Sequence, residues 1–184
     1  MNTKPKNLRQ IFSAAIVVIL LAIFVGSFTI PRPLKKIAPE FDPEAVTNCD
    51  IFCYGSEVSP PLTVTYTSYT FSIDPNSEEY DEFTELLSST KYRKKFSNIV
   101  SSRTHKITLD IDAFIHLKTP DSCFEFRLYG PEMSIGFVQD RNDYVPSGGE
   151  EFQQSVVDFI FENATLVKQE TSRMQRTASW NSYS

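Results

Sequence analysis

Ile107, Leu109, Ile111, Ala113, Ile115 and Leu117 alternate with Lys106, Thr108, Asp110, Asp112, Phe114, His116 and Lys118. A period of two sends these sets to opposite faces of a strand, so the spacing predicts a long strand with one face buried and the other largely wet. Thr119-Pro120-Asp121-Ser122 turns the chain, after which Phe124, Phe126 and Leu128 alternate with Cys123, Glu125, Arg127 and Tyr129. A second turn at Gly130-Pro131-Glu132 leads into Met133-Ser134-Ile135-Gly136-Phe137, again alternating. Three strands joined by short turns make an antiparallel meander.

Upstream, Leu62 to Ile73 is rich in Thr, Tyr and β-branched residues, as strands are. Its apolar positions switch from even (Leu62, Val64, Tyr66) to odd (Tyr69, Phe71, Ile73), which suggests a bulge or break near Thr67-Ser68. Tyr80, Phe83 and Leu87 then recur at helical spacing, with Asn76 as the expected cap and Glu79 completing a capping box. Acids from Asp74 to Glu85 stand at the helix start and Lys91 to Lys95 at or beyond its end, which suits the macrodipole. Asp140 to Pro146 reads as a polar connection. Ser147 with Glu150 reads as the cap of a second helix, whose apolar face is Phe152, Val156, Phe159 and Ile160. The expected domain, residues 62–166, is therefore a two-layer α+β fold of order β-α-β-β-β-α, with both helices on one face of an antiparallel sheet.

The remaining segments divide by composition. Residues 11–30 carry no charge, and twenty residues at about 1.5 Å each cover roughly the 30 Å of a bilayer core, so they read as a single-pass transmembrane helix behind a basic tail, residues 1–10. A cleaved leader ending near Val25-Gly26-Ser27 is the competing reading. Three cations precede the span and three follow it, and the short basic tail favours an exported C-terminal domain at the cell membrane. Residues 31–61 hold six of the eleven prolines and read as an extended stalk. Within it Cys49 and Cys53 are a candidate disulfide, leaving Cys123 as a third cysteine. Residues 167–184 read as a disordered polar tail.

Residues 1–36 hold six cations and no acid, leaving twelve cations against twenty-three acids beyond, a net charge of −11. Such a surface excludes nonspecific nucleic-acid binding. No phosphate loop, nucleophile elbow or His-Glu-x-x-His motif is present, Cys49 and Cys53 lack the companion pair of a zinc site, and Asp74 to Glu78 lacks the glycine of a calcium loop. No cofactor and no catalytic role is therefore expected. Asp110, Asp112 and His116 project from one wet face with Phe114 among them, and this face is the candidate contact surface for a protein or peptide.

The run Tyr69-Thr70-Phe71-Ser72-Ile73, the helix ending Leu86-Leu87-Ser88-Ser89-Thr90-Lys91-Tyr92-Arg93-Lys94-Lys95 and the long hairpin after it resemble small membrane-anchored extracytoplasmic domains of unknown function from low-GC Gram-positive bacteria, over residues 62–163. The resemblance implies that architecture and an exported location, and it brings no catalytic residues. The leading expectation is an extracytoplasmic binding or accessory module. The alternatives are a hydrolase using Asp110, Asp112 and His116, and a cytosol-facing adaptor phosphorylated near Ser179; the acceptor triplet Asn163-Ala164-Thr165 would matter only in a eukaryotic secretory compartment.

Overall fold

The alternation read from residues 111–129 and 132–137 belongs to a nine-stranded sheet in which every neighbouring pair is antiparallel; the expected strand start at 107–110 and the turn at 130–131 lie outside the described residues. The computed structural model describes residues 6–59, 63–95, 111–129 and 132–175. Its strands are β1 (Arg32–Pro33), β2 (Asn48–Ser59), β3 (Thr63–Ile73), β4 (Lys91–Lys94), β5 (Ile111–Lys118), β6 (Cys123–Tyr129), β7 (Glu132–Phe137), β8 (Asp140–Pro146) and β9 (Thr165–Gln175). They are ordered β1-β4-β8-β7-β6-β5-β2-β3-β9. The helices are α1 (Lys6–Thr29), α2 (Leu34–Ile37), α3 (Glu78–Ser89) and α4 (Gly149–Asn163).

Strand order explains why one face is covered. β3 and β4 lie near opposite edges, and so do β8 and β9, so α3 and α4 each carry the chain across the sheet. Both cross the same face and meet through Phe83 and Phe159, stacked with ring centroids 5.6 Å apart. Under them lie Cys49, Ile51 and Cys53 of β2, Ala113, Ile115 and Leu117 of β5, and Phe124, Phe126 and Leu128 of β6, all buried. Tyr80, Phe83 and Leu87 descend from α3, and Val156, Val157 and Ile160 from α4. Each fully buried Ile, Leu or Phe here stabilises by about 1.5–3 kcal/mol relative to exposure. Phe41, after α2, closes one end by stacking 4.5 Å from Phe124.

Several expectations are corrected. The fold is a sheet of nine strands, not the β-α-β-β-β-α unit of residues 62–166, because strand pairing continues on both sides of that range. Asn48–Ser59, expected in the stalk, is β2, paired on one edge with β3 and on the other with β5. The prolines flank it: Pro43 begins a 3-10 turn capped by Asp42, and Pro60 and Pro61 lie outside the described residues. Asp140–Pro146 is a strand, and residues 167–175 of the expected tail belong to β9, Thr165–Gln175. The register of β3 is continuous against β2, with Val64 and Tyr66 on the opposite face from Phe71 and Ile73, and shifts against β9 between Thr70 and Phe71, a few residues beyond the expected Thr67-Ser68.

The local signals move as well. Ser77, not Asn76, caps α3 and accepts the Tyr80 N–H at 3.3 Å, while Asn76 N–H bonds the Asp74 carboxylate at 2.9 Å. Lys91–Lys94 forms strand β4, not a helix end. Gly148, at φ 99°, caps α4 in place of Ser147. Among the described residues no helix is long and apolar enough to cross a membrane, which corrects the transmembrane reading of residues 11–30.

Candidate functional site

Because both crossing helices occupy one face, the other face of β2, β5 and β6 is open among the described residues. The register sets its side chains in rows. Phe52, Phe114, Arg127, Ser134 and Asp143 are successive cross-strand partners, and the next row is Asp50, His116, Glu125, Gly136 and Arg141. Tyr54 stands opposite Asp112. Asp112, Phe114 and His116 are thus brought side by side as the alternation predicts, while Asp110 lies outside the described residues.

Glu125 organises this face. It is 1% exposed, and its carboxylate meets His116 Nε2 at 2.7 Å and Arg127 Nε at 3.0 Å on Oε1 and Arg141 Nη1 on Oε2. The Arg127 Nε–H lies within ion-pair distance but is not aligned as a hydrogen bond. Arg141 reaches Glu125 across an intervening strand because Gly136, between them, has no side chain. Gly136 also has φ 143°, and a Cβ there would stand 2.5 Å from the Asp140 carbonyl oxygen, so the hairpin itself requires glycine. Two guanidiniums on one carboxylate leave little negative charge to protonate the neighbouring imidazole. Burial, with Lys118, Arg127 and Arg141, holds the His116 pKa below its ordinary value. The neutral ring therefore donates from Nε2 to Glu125 and keeps a lone pair on Nδ1.

Beside this cluster a shallow depression of about 430 Å³ is walled by Phe52, Tyr54 and Phe114. Tyr54 meets Phe114 edge to face, with centroids 5.7 Å apart and planes at 85°, and Phe52 meets His116 at 5.3 Å and 61°. The Arg127 guanidinium lies 5.2 Å from the Phe114 centroid. Asp112 lines the same depression with Oδ1 buried and unpartnered, and desolvation raises its pKa. Glu125 satisfies its charge with three neighbours; Asp112 has none among the described residues.

The acid-base reading of Asp112 with His116 finds no geometric support. Four residues apart on one strand, they stand about 13 Å apart with Phe114 between them. Among the described residues no group of three or more His, Cys, Asp or Glu is placed to hold a metal ion. Cys49 and Cys53 are free and also lie four apart on a strand, far beyond the 4.4–6.8 Å Cα separation that a disulfide spans, so that pairing is corrected. Ser179 lies outside the described residues.

Phe52, Tyr54, Glu125, Arg127 and Arg141 were not among the residues expected at this face. Glu125 and Arg127 could have been found from the turn at residues 119–122, because pairing Lys118 with Cys123 sets His116 opposite Glu125 and Phe114 opposite Arg127. Comparison with family models, curated proteins and solved structures finds no match to this chain.

Proposed function

We propose that this chain is a non-enzymatic binding module that holds a protein or peptide partner on the open face of β2, β5 and β6. The observation that carries this reading is the uncovered aromatic depression built against a buried, fully engaged Glu125 cluster. Aromatic residues and arginine are the types enriched where proteins contact partners, and here Phe52, Tyr54, Phe114 and Arg127 are grouped in a single depression. The cluster fixes Arg127 and His116 before any partner arrives, which reduces the ordering cost of association. The separation of Asp112 from His116 favours binding over hydrolysis.

The test is selection of peptides from a random library on the full chain, followed by affinity measurements on Phe114→Ala and Tyr54→Ser. Tyr54 is 49% exposed, so its replacement leaves the core intact. Both variants should melt near the parent temperature and lose most of the affinity for the selected peptides. Undiminished binding by both would reject this face.

A further inference from the structure

The depression also carries information about the chemistry of its occupant. Its lining holds two carboxylates, Asp112 and Glu125, and one guanidinium, Arg127, with His116 neutral; Glu125 is already engaged by Arg127 and by Arg141 beyond the lining, so Asp112 is the charge left without a partner among the described residues. Arg127 is committed to Glu125 and lies on the β6 flank of Phe114, whereas Asp112 and Tyr54 face each other across β5 and β2. That end of the depression holds an unneutralised carboxylate beside aromatic rings. The rings do not form one flat shelf: Tyr54 and Phe114 stand nearly perpendicular, presenting a face and an edge to the same space. A ring face is negative and a ring edge positive, so a compact cation is favoured over the open ring face with the Asp112 carboxylate beside it.

We propose that the depression accepts a lysine ammonium group from the partner peptide, held against the aromatic wall of Tyr54 and Phe114 and neutralising Asp112. This rests on the peptide-binding reading above and specifies its chemistry. The ammonium supplies a hydrogen-bond donor to the Asp112 carboxylate, which has none among the described residues. Arg127 over Phe114 shows the same pairing of cation and ring already made on the other flank.

The experiment titrates three peptides, acetyl-Gly-Gly-Lys-Gly-Gly-amide and its Nε-acetyllysine and Glu counterparts, into the ¹⁵N-labelled full chain and follows amide shifts. The lysine peptide should shift Tyr54, Asp112 and Phe114 and bind about tenfold or more tighter than the acetylated one, a difference of about 1.4 kcal/mol. Asp112→Asn should remove that preference without lowering the melting temperature, and Tyr54→Leu should weaken the lysine peptide alone. If the acetylated or acidic peptide binds the same residues as well as the lysine peptide, the ammonium assignment is overturned and the peptide-binding face stands. If none of the three moves these residues while library-selected peptides do, the lysine assignment is likewise rejected. If no peptide of either kind reaches this face, the proposed function falls with it.

Discussion

Replacing Glu125 with Gln removes one charge from the most buried polar position on the open face and leaves its volume nearly unchanged. Three cationic or donor groups converge on that carboxylate, from His116, Arg127 and Arg141. The glutamine oxygen can still face His116 and Arg127, which share Oε1, but its amide NH2 then points at Arg141 in place of Oε2, so that ion pair becomes repulsive and the other two lose their charge assistance. Breaking a buried ion pair by removing one partner costs about 3–5 kcal/mol when the survivor stays buried. Here the survivors have an escape: the Arg127 and Arg141 side chains are 33% and 23% exposed and can swing to water. That lowers the expected loss to about 2–3 kcal/mol, a large share of a typical domain stability of about 5–15 kcal/mol. Urea unfolding of the full chain measures it, with Glu162→Gln on the exposed side of α4 as the control expected within about 0.5 kcal/mol. A double-mutant cycle with Arg141→Met should return a coupling of about 1–2 kcal/mol. A loss under about 1 kcal/mol, or no coupling to Arg141, would show that the cluster does not organise this face.

The cysteines offer a second check: burial pushes the Cys49 and Cys53 thiols up to about 12, so Ellman's reagent at pH 8 should titrate at most the partly exposed Cys123 in the native chain and all three in denaturant. Two or more reactive thiols in the native state would place β2 outside the core. A third concerns pH. Asp112 has no partner, and desolvation raises its folded pKa above the ordinary 3.8, so the fold binds this proton more tightly than the unfolded chain does. Its destabilising charge develops as pH rises through the window from 3.8 to the raised value, and Asp112→Asn should melt above the parent at pH 7, with the gap closing below pH 3.8. A lower melting temperature for the variant at pH 7 would mean that the carboxylate has a stabilising partner.

What was legible in this sequence was local. The alternation through Ala113, Ile115 and Leu117 and the turn at residues 119–122 are decided by neighbours within one hairpin, and they place the core face of β5 and β6 correctly. β2 was hidden for two reasons. Its partner β5 is about sixty residues away, and its apolar positions, Cys49, Ile51 and Cys53, are flanked by prolines that read as an extended stalk. The prolines fall at its ends, where a missing N–H is tolerated. β8 was hidden differently: Asp140, Arg141, Asn142 and Asp143 are polar, yet they continue the sheet as the second arm of a hairpin from β7. Backbone pairing requires no apolar side chain, and Tyr144 alone of its central residues is buried.

The same division governs the candidate site. One wall, Asp112, Phe114 and His116, comes from a single strand and was visible as a parity. The other wall, Phe52 and Tyr54, arrives only when the distant β2 pairs with β5, and the clamp on Glu125 needs Arg141 from a strand that polarity concealed. A chain read only through β5 therefore shows an aspartate and a histidine sharing a face, which suggests acid-base chemistry. With the neighbours in place, His116 is engaged by Glu125 and Asp112 is isolated among aromatic rings. It is this difference in partnering, not the presence of the two titratable groups, that weighs against the hydrolase alternative and for the binding reading with which the sequence already led.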